Sequence, residues 1–196
     1  MTQQVEIFYD FRSPYSYLAF TQLVKMDVEL ILRPMQILKV MERVGNVPTT
    51  ITCAAKGRYA GRDLGRWAGR YGIALNPADM RAVDGDATGR AVLAAATPTE
   101  ALAVTMALYR ACWSEQTTLP TSDDVVAALA AAGIDTSGIA ARIDLPETQV
   151  ALEANSDEAV ARDVFGTPSM FVGDTLFFGY DRLDFLAEEL ARKAAA

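Results

Sequence analysis

Histidine is missing from this sequence altogether. That absence removes in one step the Ser-His-Asp and Cys-His nucleophile arrangements, metal sites built on imidazole, and the side chain most used as a general base near neutral pH. Cysteine is nearly as scarce. Cys53 and Cys112 are the only two, far apart and without a C-x-x-C, so neither a redox motif nor a structural zinc site is indicated. Cys112 lies in ALAVTMALYRACW near the apolar side of a helical stretch, where a small buried hydrophobe is the ordinary reading. The sequence leaves Cys53 undecided. No uncharged apolar run approaches the roughly 18 residues of a membrane span, and the richest alanine-leucine stretch is interrupted by Pro98 and Glu100. The opening MTQQVEIFYDF has no basic n-region and no apolar h-region. A cytoplasmic protein without a membrane partner is expected. Positive charge is also in deficit: 18 basic residues stand against 25 acidic ones, a net charge of -7. A phosphate backbone would have to be bound against that field, so nucleic acid is not an expected partner.

What is present is an ordinary soluble composition, 51% hydrophobic and 22% charged, in 196 residues. That length serves one sizeable domain or a core domain carrying an insertion. Val5 to Phe11 alternates branched and aromatic residues as a strand does. Ser13 then stands where an N-cap belongs and Pro14 at the first helical position, with Leu18, Ala19, Leu23 and Met26 following at helical spacing. VELILRPM predicts a second strand closed by Pro34. From about Ile37 to Pro146 the texture is alanine-rich and helical. RYAGRDLGRWAGRYG turns Tyr59, Trp67 and Tyr71 to one side and stops at Gly72; TPTEALAVTMALYRACW places Leu102, Met106, Tyr109 and Trp113 on a stripe; TSDDVVAALAAAG carries a cap and a stop. After a further helix in LPETQVALEANSDEAVARDVF, SMFVGDTLFFGY reads as a hairpin turning on Gly173-Asp174, and a last helix is predicted from Asp181. The expected organisation is residues 1–36 plus 147–196 as one α/β domain, with residues 37–146 as an all-helical insertion.

A β-α-β half joined to a β-β-α half makes the thioredoxin fold, whose site lies at the N-terminus of the first helix. Here that place reads Ser13-Pro14-Tyr15-Ser16, with oxygen at both positions where a redox protein of this fold has cysteine. Thiol-disulfide exchange by the chain itself is thereby set aside. FGTPSMFV places Pro168 at the start of the hairpin's first strand, the position of a cis-proline in such folds. A cis X-Pro bond there turns the preceding N–H and C=O outward, where an extended peptide can pair with them. An unassisted serine is a poor nucleophile. As a donor at a helix N-terminus, however, Ser13 is suited to hold a thiolate brought by another molecule, because free N–H groups and the macrodipole favour an anion there.

On three ordered blocks, FYDFRSPYSYLA, GNVPTTITCAAKGRYAGRDLGRWAGRYGI and EANSDEAVARDVFGTPSMFVGDTLFFGYDRLDFL, the chain resembles the DsbA-like branch of the thioredoxin superfamily. Within it, the resemblance is to the 2-hydroxychromene-2-carboxylate isomerase and kappa-class glutathione transferase family. That resemblance implies an α/β thioredoxin-like fold with a large helical insertion, glutathione as cofactor, a small aromatic carboxylate as substrate, and a homodimer. It implies that Ser13 is catalytic and donates to the glutathione sulfur, that the backbone of Thr167 ahead of Pro168 pairs with the cysteinyl main chain, and that Asp181 and Tyr180 hold the γ-glutamyl ammonium. Asn46 and Lys56 would reach the tripeptide and the second substrate. No metal is implied. The implied activity is glutathione-dependent isomerisation of the hydroxychromene carboxylate to trans-o-hydroxybenzylidenepyruvate during breakdown of naphthalene-like aromatics. A kappa-type transferase, and a non-catalytic thiol- or peptide-binding protein, are the alternatives.

Plainer roles stand beside these. Ser13 also reads as a helix cap, Asp181 as the N-cap of the last helix, Lys56 as a solvated surface lysine and Pro168 as a trans strand-edge proline. Arg58, Arg62, Arg66 and Arg70 form one basic face, open to solvent or to acids such as Asp63, or aimed in part at a substrate carboxylate. The chain departs from the family pattern at Thr167 and Ser169, where valine and threonine are more usual, at Asp163, where glycine is common, and through ADMRAVDGDATGRAV.

Overall fold

The computed structural model describes residues 3–195, so Met1, Thr2 and Ala196, the outer limits of the two sheet-forming segments, lie outside the described residues. The chain opens β1 (Gln4–Tyr9), α1 (Pro14–Leu23), β2 (Glu29–Pro34). It then runs through α2 (Ile37–Arg43), α3 (Thr49–Thr52), α4 (Ala54–Tyr71), a single 3-10 turn at Met80–Ala82, α5 (Gly85–Leu93), α6 (Pro98–Trp113), α7 (Ser122–Ala131), α8 (Ser137–Arg142) and α9 (Pro146–Ala161). It closes with β3 (Ser169–Val172), β4 (Thr175–Phe178) and α10 (Leu183–Ala194). The four strands form one mixed sheet in the order β2-β1-β3-β4. β1 is parallel to β2 and antiparallel to β3, and β3 and β4 form the hairpin, with Gly173 at φ 62 in its turn. This is the thioredoxin-like topology with a helical excursion between its halves.

The period of two in β1 divides the core. Val5, Ile7 and Tyr9 face one way with Met170 and Val172, onto Phe20 and Leu23 of α1, Val104 and Leu108 of α6 and Leu186 of α10. Phe8 and Phe171 face the other way, edge to face at 5.9 Å, onto Ile37 and Val40 of α2 and Ala159 of α9. The two central strands are buried on both faces by these contacts, while β2 and β4 at the edges stay partly exposed. Sheet residues and insertion residues therefore share one apolar interior, and Tyr109 of α6 lies against Tyr9, Phe11, Phe20 and Tyr17.

Most predicted elements stand where the residues place them, with two corrections. On α6 the fully buried side is Val104, Thr105, Leu108, Tyr109 and Cys112, while Leu102 and Met106 of the expected stripe are only half-buried. Tyr109 and Trp113 of that stripe are buried as expected, and the core-facing side runs through Leu108 and Tyr109, leaving Leu102 and Met106 along its margin. The last helix starts at Leu183 rather than Asp181: Arg182 occupies the cap position and no side chain caps it. Asp163, in place of the usual glycine, takes φ 57, the left-handed conformation that aspartate tolerates better than most residues.

Candidate active site

The turn from β1 into α1 is pinned from several sides. The Ser13 N–H donates to the Asp10 carbonyl at 3.0 Å. The Asp10 carboxylate, wholly buried, accepts from the Arg12 N–H (2.9 Å), Arg12 Nε (3.0 Å), Arg12 Nη2 (2.7 Å) and the Ile37 N–H (3.3 Å). From α6, Trp113 Nε1 donates to the Phe11 carbonyl at 2.8 Å. A buried carboxylate held by a guanidinium fork and two amides is fully paired, which is the condition for burying a charge. The turn is thus rigid before any ligand enters, and it delivers Ser13 to the N-cap of α1.

Ser13 is 8% exposed, at φ -91 and ψ 117, and its Oγ accepts from the Ser16 N–H at 3.3 Å. The cap expected from the sequence is therefore real. The same Oγ donates to the Thr167 carbonyl at 3.5 Å, a long and weak bond. Ser16 Oγ and Thr167 Oγ1 lie 2.7 Å apart. The Thr167-Pro168 peptide bond is cis. Among the described residues the Thr167 N–H has no partner, and no acidic side chain stands in the first turn of α1. With Pro14 lacking an N–H and the Ser16 N–H capped, the helix mouth presents the Tyr15 N–H, the positive end of the helix dipole and an adjustable hydroxyl, beside the free N–H of Thr167.

An aromatic wall rises beside this mouth. Tyr15 stacks on Tyr180 with ring centroids 5.3 Å apart and 7° between planes, and Trp67 meets Tyr180 edge-on at 5.0 Å. The Tyr180 hydroxyl donates to Asp63 Oδ2 at 3.2 Å, and the Tyr71 hydroxyl to the Tyr180 carbonyl at 3.4 Å. Burial, reinforced by the Asp63 carboxylate, pushes the Tyr180 phenol far above its ordinary range. Tyr15 moves the same way for the same two reasons. Both are neutral hydroxyls at any physiological pH. A cleft of about 410 Å³ opens between Tyr15 and α4, lined by Thr50, Ala55, Lys56, Tyr59, Ala60 and Asp63. A larger cleft of about 500 Å³, lined by Tyr17, Ile73, Met106, Arg110 and Ile134 among others, shares no residue with this site.

The structure brings together Ser13, Thr167 and Pro168, sets Tyr180 against the helix mouth through Tyr15, and places Lys56 in the wall of the adjoining cleft. Asp181 is exposed and pairs with its neighbour Arg182 at 2.7 Å. A side chain at Gly179, which has φ 97, would meet the Asp181 carboxylate at 2.6 Å, so that glycine admits the fold-back of Asp181. Asn46 Nδ2 donates to the Phe165 carbonyl at 2.6 Å, two residues before Thr167. Of the basic face on α4, Arg66 pairs with Asp63 at 3.2 Å and Arg70 lies over Trp67 at 5.2 Å. Tyr15 and Ser16 enter the sequence reading only as members of the Ser-Pro-Tyr-Ser motif, and Asp63 only as an acid for the basic face of α4, with no role of their own in the site. The available signal was the four-residue row Tyr59, Asp63, Trp67, Tyr71, which is one helix face with an acid in the middle of its aromatics.

A family model described as a DSBA-like thioredoxin domain matches residues 4–191. The chain is 30% identical to the 2-hydroxychromene-2-carboxylate isomerase of Sphingobium xenophagum, covering 97% of this chain and 99% of that protein. It is 28% identical to glutathione S-transferase kappa 1 of Homo sapiens, covering 98% and 93%. A solved structure of a 2-hydroxychromene-2-carboxylate isomerase superposes with a TM-score of 0.86 at 28% identity, covering 97% of this chain and 96% of that one.

Proposed function

This chain belongs to the DSBA-like thioredoxin-domain family, in its group of 2-hydroxychromene-2-carboxylate isomerases and kappa-class glutathione transferases, and from that premise we propose that it is a glutathione-dependent isomerase of a conjugated aromatic carboxylate. The observation that carries the reading is the oxygen-lined helix mouth: the Ser13 hydroxyl, which caps the Ser16 N–H and spends its own hydrogen only on a 3.5 Å bond to the Thr167 carbonyl, opens a first turn free of acids, beside a Thr167 N–H that has no partner among the described residues. These groups fit a cysteinyl thiolate with its own main chain laid along Thr167. Glutathione, when bound, supplies a thiolate that adds reversibly to the conjugated carbon, so that the former double bond can rotate before elimination returns the tripeptide unconsumed.

The chain's own residues hold and orient. Ser13 donates its hydrogen to the sulfur in exchange for the long bond to Thr167, and the α1 N-terminus stabilises the negative charge. Thr167 offers N–H and C=O to the cysteinyl unit. Asp181 and Tyr180 stand on the rim where the γ-glutamyl ammonium would lie, with the ammonium taking the place of Arg182 on the carboxylate. Asn46 braces the Phe165 carbonyl at the same rim, and Lys56 supplies a cation for a carboxylate in the cleft faced by Tyr15 and Tyr59. We further propose a homodimer, a reading supported by exposed Ile51 and the exposed Phe165–Phe178 pair, and with it a cytoplasmic location and a place in the breakdown of naphthalene-like compounds.

Ser13→Ala tests the reading. Turnover is expected to fall by about 100-fold, the scale of losing one donor to a developing anion, while loss of the cap costs about 1 kcal/mol and leaves the fold intact. Turnover within twofold of the parent would overturn it. The similarity to a kappa transferase favours one rival, in which the adduct is released as product. Parallel assays of isomerisation and of conjugation to a generic electrophile separate the two.

A further inference from the structure

We infer that the Ser16 and Thr167 hydroxyls act together as a positioning clamp, setting the gap between the mouth of α1 and the backbone edge at Thr167 and thereby how tightly glutathione is held with its sulfur at Ser13. The inference rests on the glutathione reading above and deepens it.

Three bonds converge on the gap. Ser16 Oγ to Thr167 Oγ1 is 2.7 Å, Ser16 N–H to Ser13 Oγ is 3.3 Å, and Ser13 Oγ to the Thr167 carbonyl is 3.5 Å. The first is the only short one, and it joins residues 151 apart in the chain. It therefore fixes the distance, while the weak third bond is a consequence of where the first leaves the two backbones. Ser16 is 0% exposed, and no buried side-chain polar atom among the described residues lacks a partner. Removing the Thr167 hydroxyl would leave the buried Ser16 hydroxyl to the Tyr109 phenol of α6 alone, and the tie between the α1 mouth and the Thr167 backbone would be lost.

The clamp acts through the backbone and not on the sulfur itself. Thr167 instead contributes its backbone: its carbonyl is the resting acceptor of Ser13 and its N–H is the free donor for an incoming chain. A shift of the Thr167 backbone moves both at once. The loop stays folded without the clamp, because Asn46 Nδ2 holds the Phe165 carbonyl (2.6 Å), Ser169 Oγ the Gly166 carbonyl (2.9 Å) and the Gly179 N–H the Pro168 carbonyl (3.0 Å). Loss of the clamp should register in the site and not in overall stability.

The test is a double-mutant cycle on the full chain, read by calorimetric affinity for glutathione and by the ultraviolet absorbance of its bound thiolate against pH. Thr167→Val and Ser16→Ala are each expected to weaken binding by about five- to tenfold, the fold-change equivalent of one lost buried hydrogen bond, and to raise the bound thiol's pKa. The double variant should be no worse than either single one. Thr167→Ser, which keeps the hydroxyl, should bind as the parent does. Additive losses, a Thr167→Val variant that binds like the parent, or a Thr167→Ser variant that loses as much as the valine, would each overturn the clamp while leaving the glutathione reading in place. A parent chain that does not bind glutathione overturns both.

Discussion

The two cysteines show how far one residue's surroundings decide its chemistry. Cys112 is 0% exposed on the core side of α6, and burial pushes its thiol up to about 12. With so little thiolate at neutral pH it is a packing residue, as its place in the sequence indicates. Cys53 stands exposed at the junction of α3 and α4. A thiol reagent at neutral pH is therefore expected to modify one thiol per folded chain and two after denaturation. Rapid modification of both in the folded protein would show that the α6 face opens. At the same scale, Ser13 was legible because capping is a local rule, satisfied by Ser-Pro and the apolar spacing that follows. The stack of Tyr15 on Tyr180 and the bond from Tyr180 to Asp63 were not legible, since they join β1–α1, α4 and the β4–α10 turn through space with no local pattern to announce them.

Between elements, one electrostatic tie joins four of them at Glu6 on β1, which accepts from Arg33 Nε of β2 at 2.7 Å and from Arg162, just after α9, while Arg162 lies over the Phe171 ring of β3 at 3.8 Å. Burial pushes the Glu6 carboxyl up, but the hydrogen bonds and charges of Arg162 and Arg33 outweigh it and leave it below its ordinary value of 4.5. A carboxylate depressed in the folded state adds stability that is complete above its unfolded value and is lost as pH falls through the folded one. Glu6→Gln should therefore lower the urea midpoint at neutral pH, with the gap from the parent closing as pH falls below about 4.5. A gap that is constant with pH would assign the loss to packing. Elements themselves were read well where capping and period agree, as in Thr121 before α7 and Gly72 after α4. They were read less well where side chains take unexpected partners. The carboxylate of Asp181 goes to Arg182 and not to the end of α10, so that helix starts later than its acid suggests.

For the molecule as a whole, the order of elements was legible from the two ends of the chain, but the relation between the parts was not. On sequence, residues 1–36 with 147–196 read as the sheet-forming unit and residues 37–146 as a separate helical insertion. An apolar stripe on a helix carries no mark of what it will face. The interior makes Tyr9 and Ile7 of β1 neighbours of Val104, Leu108 and Tyr109 of α6, and Trp113 donates to the carbonyl of Phe11 on the approach to Ser13. Strip away 37–146 and the face of the sheet that α1 and α10 also cover would lose the α6 part of its cover, leaving residues such as Tyr9, now 0% exposed, partly open, at up to about 2 kcal/mol for each large side chain. We propose that the two segments unfold as one unit. Denaturation followed by far-ultraviolet circular dichroism, which sees mainly the helices, should coincide with that followed by tryptophan fluorescence. The two tryptophans divide the report: Trp113 is buried in the shared interior, while Trp67 stands in the aromatic wall against Tyr180. Coincident transitions with each tryptophan in turn replaced by phenylalanine would establish that site and core melt together. A separate early step seen by Trp67 alone would instead show that α4 leaves its wall while the sheet stands, and that the site is assembled on the least stable edge of the fold.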